Sequence, residues 1–218
     1  MTDKNKSAEN RKEARDYLIP VIVLLLLIIC GVLFWRIIPA PDIRPETVAV
    51  EETMAGGSSI GGPFQLLSHT GETVTEKSWP GQYLLLFFGF THCPDVCPTE
   101  LAKMTRILEG LPSATVDKIQ PIFISVDPKR DDVEGMAGYV SHFYPSLVGL
   151  TGTEEQIQAV VDQYRVYAQA QSPDETGYYV VDHSAFTYLM APEGELLEVF
   201  NYDDPPEAIK KRIQALVE

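Results

Sequence analysis

Apolar residues are distributed along this chain in three distinct ways, and each predicts a different kind of element. From Tyr17 to Trp35 no charged residue interrupts the run. At about 1.5 Å per residue it makes roughly 28 Å of helix, close to the hydrocarbon thickness of a bilayer, and it predicts a transmembrane helix over 17–38. The second pattern is a short continuous apolar run. YLLLFFGF (Tyr83–Phe90), IQPIFISVD (Ile119–Asp127) and SLVGL fit it, the first reading as a central strand covered on both faces. The third has helical spacing. Leu101, Met104, Ile107 and Leu108 follow Pro98, which suits a first helical turn, and TEEQIQAVVDQYRV begins with a capping-type signal.

Weaker patterns complete the plan. GGPFQLLSHTGETV predicts a hairpin turned at His69, Thr70 and Gly71, and a short helix is expected between DPKRDD and His142. After a polar Pro/Gly loop, YYVVDHSAFTYLM and ELLEVF join at an APEG turn, and a last helix begins near Pro206. The order β-α-β-α, then a hairpin and a closing helix, predicts an α/β domain with a mixed sheet flanked by helices. Between the apolar span and this domain, Pro39, Pro41, Pro45 and EETMAGGSSIGG predict a flexible tether. The organisation is therefore 1–16, the span 17–38, the tether 39–60 and a folded domain over 61–218.

Charge orients the plan. Lys4, Lys6, Arg11, Lys12 and Arg15 precede the span, and only Arg36 and Arg44 follow it before a long acidic stretch. The positive-inside rule puts residues 1–16 in the cytoplasm and the domain outside it. Asp3, Glu9, Glu13 and Asp16 argue against a transit peptide, so the expected site is a bacterial inner membrane with the domain in the periplasm. The span is long for a cleaved signal peptide, and Cys30 follows Ile29 where a lipid-attachment signal needs a small residue, so Cys30 reads as a buried small hydrophobe. From Pro45 onward 10 Lys and Arg face 26 Asp and Glu, 10 − 26 = −16. Such a domain should repel nucleic acid and anionic lipid, and suits a cationic partner or a metal ion if the charge is more than solubilising.

The candidate chemistry lies in FTHCPDVCP, where Cys93 and Cys97 sit between a buried strand and a helix, at the sheet end where α/β folds place their sites. A structural disulfide closing so short a loop would restrain the unfolded chain little. A helix N-terminus favours thiolate, which serves disulfide exchange and soft-metal binding equally. A metal site needs a third ligand. His69, in the hairpin turn, and His142, near a helix end, read as surface residues, and His92 has a side chain that should diverge from that of Cys93. His183 precedes a strand of alternating pattern. Asp182 beside it is a possible orienting partner. Asp127, Pro128, Arg130 and Asp131 read as turn residues near the same sheet edge, with loop positioning or partner recognition as the alternative. Asp95 and Val96 read as loop-shaping, and Tyr178, Tyr179 and Tyr188 as core or sheet-face residues.

A strand–Cys–helix opening and a late hairpin through a PEG turn resemble the thioredoxin superfamily, with His183 standing where that family has a cis-proline and with three residues rather than two between the cysteines. GGPFQL, FTHCPDVCP, SVDPKRD and VDHS together resemble the Sco/SenC family of membrane-anchored copper chaperones, over roughly residues 60–216. The resemblance implies a thioredoxin-like fold and one copper ion, Cu(I) or Cu(II), held by Cys93, Cys97 and His183. It implies docking on the copper-centre subunit of cytochrome c oxidase, whose dinuclear copper centre would receive the ion. A tethered thiol–disulfide oxidoreductase that uses Cys93 and Cys97 on the oxidase's cysteines is the alternative. The sequence identifies neither the copper donor nor the thiol reductant, and a monomer is the default for a transfer domain.

Overall fold

Strand β3 (Tyr83–Gly89) organises the fold, because its unbroken apolar sequence is buried on both sides. Leu85 and Phe87 join one core and Leu84, Leu86 and Phe88 the other, which is the period-2 alternation of a strand with helices on each face. The computed structural model describes residues 60–217, so the expected cytoplasmic N-terminus, the span 17–38 with Cys30, and all but the last residue of the tether lie outside the described residues. Among the described residues no helix is long and apolar enough to cross a membrane.

The chain begins with the expected hairpin, β1 (Gln65–Ser68) and β2 (Thr73–Thr75), and turns through Gly71 at φ +84°. After β3 come helix α1 (Val96–Glu109), a short α2 (Ser113–Val116), β4 (Ile119–Ser125), α3 (Val133–Val140), β5 (Val148–Thr151) and α4 (Glu154–Gln163). Thr153 and Gln156 form the capping box expected before α4. Then follow β6 (Ala168–Ala170), β7 (Val181–His183), β8 (Thr187–Met190), β9 (Leu196–Phe200) and α5 (Pro206–Leu216).

Seven strands form one mixed sheet in the order β2-β1-β5-β4-β3-β8-β9. The central β3, β4 and β5 run parallel, and β1 and β8 join them antiparallel. One core gathers Ile107, Leu108, Met136, Ile209 and Ile213 under α1, α3 and α5, and the other gathers Ile157, Val160 and Val161 under α4. The sheet therefore has helices on both faces, as the element order predicts.

Two expectations need correction. The alternating strand expected after His183 is β8, but His183 itself, read as preceding any strand, ends one. The strand it ends, β7, pairs with β6 in a separate two-stranded ribbon that places Ala168 opposite His183. Of the three tyrosines read as core or sheet-face residues, Tyr188 is buried on β8, but Tyr178 is 43% exposed and lies with Tyr179 in the loop before β7.

Candidate metal centre

The site is built where β3 gives way to α1. Phe90 ends the buried run, residues 91–95 turn the chain, and Cys97 becomes the second residue of α1. Asp95 occupies the N-cap but makes no side-chain cap bond. The Cys93 sulfur instead accepts the Cys97 N–H at 3.4 Å, so a thiol takes the place of a capping oxygen. Cys93 is half-buried and Cys97 fully buried, and both are free thiols. Gly89 makes room for Cys97. A Cβ at that position would lie 2.6 Å from the Cys97 Sγ and 2.9 Å from the Phe123 ring.

His183 reaches the cysteines from the ribbon. Its Nε2 lies 3.4 Å from the Cys97 Sγ, and its ring stands edge-on to Phe87 and Phe90 with centroids 6.2 and 5.8 Å away. Nδ1 lies 3.1 Å from the Ser184 carbonyl oxygen, which can only accept, so Nδ1 carries the proton and Nε2 turns its lone pair toward the sulfurs. One donor atom from each of Cys93, Cys97 and His183 lies within 4.8 Å of the others. Two soft sulfurs and one imidazole suit a soft or borderline metal ion.

The two thiols differ electrically. The Cys97 thiol donates toward Cys93, and this bond, with the Cys97 and Asp95 backbone N–H groups as further donors, holds Cys93 far below the ordinary thiol range despite partial burial. The same bond and its own burial push Cys97 up. Cys93 is thus the thiolate of the pair and Cys97 its proton donor. The Tyr139 hydroxyl is shut off from solvent without a partner among the described residues, and burial, with the two thiols adding to it, pushes it up.

Residues 127–131 support this corner. The buried Asp131 carboxylate accepts the Thr91 N–H at 3.0 Å and the Thr91 and Ser125 hydroxyls at 2.6 Å each, which pins the start of the cysteine loop to the end of β4. Buried Asp127 accepts the Tyr179 hydroxyl at 2.8 Å and pairs with Arg130. Arg130 donates to the Tyr179 carbonyl at 2.8 Å and stacks 3.6 Å from its ring, while the Tyr178 hydroxyl donates to the His92 carbonyl at 3.2 Å. Asp127, Arg130 and Asp131 therefore position loops, and Tyr178 and Tyr179 tie the segment before β7 to the site.

Other expectations resolve differently. Asp182 does not orient His183. It accepts from the Gln171 amide at 2.8 Å, because alternate residues of a strand point to opposite sides. His69 accepts the Gly149 N–H at 3.1 Å and His142 is exposed, so neither approaches the cysteines. His92 is outside the three-residue group, its ring drawn toward Thr91. The support from Asp131 and Tyr179 had no local signal, since it depends on loops brought together from 40 to 52 residues apart.

A mixed α/β sheet with a cysteine pair at a helix N-terminus, faced by a late histidine, defines a thioredoxin-like metal-binding class. The SCO1/SenC family model matches residues 52–218, and the chain belongs to that family. It is 50% identical to the human protein named Protein SCO1 homolog, mitochondrial, over 146 residues, 66% of this chain and 48% of that protein. It is 39% identical to an SCO2-like protein of Rickettsia felis over 193 residues, 87% of this chain and 92% of that one. The chain thus spans about half the length of the human relative and most of the bacterial one. The structure of Bradyrhizobium japonicum ScoI with copper bound is similar at 44% identity and a TM-score of 0.65, over 72% of this chain and 99% of that one.

Proposed function

We propose that this protein is a membrane-anchored copper carrier. It holds one Cu(I) or Cu(II) ion on Cys93, Cys97 and His183 and passes it to the dinuclear copper centre of cytochrome c oxidase during assembly. The observation that carries this reading is the convergence of three donor atoms within 4.8 Å, with the lone pair of His183 Nε2 turned inward. Thiolates select Cu(I), and an added imidazole also accommodates Cu(II). Three ligands leave a position through which a partner's cysteine or histidine can attack, whereas a structural zinc site closes with four. Copper is cargo here. Similarity to a Sco protein solved with copper supports the choice of metal, and family resemblance supports the oxidase as recipient. In this reading the span 17–38 anchors the chain, 39–60 tethers it, and 61–218 acts as a monomer in the periplasm.

A second reading rests on the asymmetry of the thiols. An accessible thiolate beside a buried thiol is the arrangement of an attacking and a resolving cysteine. Cys93 would attack a disulfide in the oxidase's copper site and displace one thiolate. Cys97 would then break the mixed disulfide, releasing a partner dithiol and leaving Cys93 and Cys97 oxidised by two electrons.

Copper content of the reduced full-length chain beside its His183→Ala form separates the readings. The carrier predicts one copper per chain with thiolate-to-Cu(II) charge-transfer bands, both lost on substitution. Undiminished copper in His183→Ala would overturn the three-ligand site. A chain that retains no copper, yet exchanges readily with a disulfide substrate, is the oxidoreductase.

A further inference from the structure

One imidazole at the site has no role in the three-ligand set. His92 immediately precedes Cys93, and its side chain is 45% exposed. Its Nδ1 lies 3.0 Å from the Thr91 Oγ1 and 3.4 Å from the Asp131 Oδ1. Thr91 donates its own proton to Asp131 at 2.6 Å, so its oxygen accepts from His92. Both atoms facing Nδ1 are acceptors, and Nδ1 carries the proton. The lone pair therefore rests on Nε2, on the edge of the ring away from Asp131. The hydroxyl that accepts from Nδ1 is itself held by the Asp131 carboxylate, and such a chain of acceptors is the usual support behind a metal-ligating histidine. The backbone is held as well, through Thr91 N–H to Asp131 and the Tyr178 hydroxyl to the His92 carbonyl. His92 is thus oriented through both its ring and its backbone, and its side chain is half-exposed.

We propose that His92 is an exchange ligand, holding copper together with Cys93 while the ion enters or leaves. The proposal rests on the copper-carrier reading. Cys97 is fully buried, so a partner cannot reach it directly, and the half-exposed Cys93 is the thiol at the mouth. An ion moving outward on Cys93 alone would lose both other ligands at once. With His92, a bond from its Nε2 to copper forms as the bond from Cys97 or His183 breaks. The oxidation state does not change; the neutral ring binds through a free lone pair and loses no proton, and Cys97 departs as the thiolate that held the ion. Cu(I) tolerates such low coordination with sulfur and nitrogen donors.

The test is the rate at which bathocuproine disulfonate removes Cu(I) from the loaded full-length chain, with copper content measured beside it. His92→Ala is expected to keep one copper per chain and release it about tenfold more slowly. Thr91→Val, which frees the ring to change tautomer, should slow release less. His92→Met should recover much of the rate, because a thioether binds Cu(I) but cannot replace the bond to Thr91. Release from His92→Ala at the wild-type rate overturns the proposal. So does a fall in copper content like that of His183→Ala, which would make His92 a resident ligand, or a His92→Met form as slow as alanine. A wild-type chain that binds no copper would overturn the carrier reading itself, and is seen before any rate is measured.

Discussion

The two halves of the candidate site are made of different material. The cysteine half grows out of the centre of the molecule: β3 is buried over Leu84–Gly89, Cys97 is closed against Gly89, and Asp131 ties the loop to β4 with three hydrogen bonds. The histidine half is a ribbon of two three-residue strands paired to each other and not to the seven-stranded sheet. Gln169, Ala170 and Asp182 are exposed, and a groove of about 440 Å³ opens between the ribbon, α4 and residues 126–129. Two loop tyrosines and Arg130 hold the ribbon's approach in place. The contrast teaches a division of labour. Local stability is highest where apolar contacts and buried hydrogen bonds are densest. The thiols are preorganised by the core, and in the proposed copper site an ion joining them to His183 would tie the lighter ribbon down.

The division is tested first where the effect on folding is largest. Asp131→Ala leaves the Thr91 N–H and two hydroxyls without their acceptor, and should lower stability by about 3 kcal/mol, read as a fall in the urea midpoint. Gly89→Ala drives a methyl group into Cys97 and Phe123 and should cost about 1–3 kcal/mol in the same assay. Tyr178→Phe should act on the other half, because it removes the half-exposed hydroxyl that donates to the His92 carbonyl. Global stability should change by about 1 kcal/mol or less, while hydrogen exchange over residues 171–183 speeds up and copper is retained less well. A large loss of global stability from Tyr178→Phe would show that the ribbon is not the lighter half.

Because Cys93 is held far below the ordinary thiol range, its thiolate persists as the pH falls. Iodoacetamide should modify Cys93 before Cys97, at a rate nearly level from about pH 8 to about pH 5, where an unperturbed thiol would slow about tenfold per unit. The linkage has a matching sign. A depressed thiol contributes stability that is complete above its unfolded value and lost as the pH falls through its folded one. Labelling that declines steadily below about pH 8 would remove the electrical asymmetry of the pair.

The same contrast governs what could be read from the sequence. β3, β4, α1 and α4 were legible because burial on one or two faces writes a period into the residues themselves. Cys93 and Cys97 were legible as a pair because strand, loop and helix follow one another directly. The ribbon was not: AQA has no apolar period, and a three-residue strand is stabilised by its partner rather than by its own composition. His183 could be singled out only through family resemblance, and Asp182, a possible orienting partner by sequence, turns away because adjacent strand residues face opposite ways. Tyr178 and Tyr179 looked like strand residues among YYVV, but their contacts are with Arg130, Asp127 and His92, which sequence spacing does not reveal.

The most direct test of the central claim is X-ray absorption on the full-length chain loaded with Cu(I). Copper held by Cys93, Cys97 and His183 should show two sulfur scatterers and one imidazole nitrogen, with the nitrogen lost in His183→Ala. A shell of sulfur alone, or one unchanged by that substitution, would contradict it.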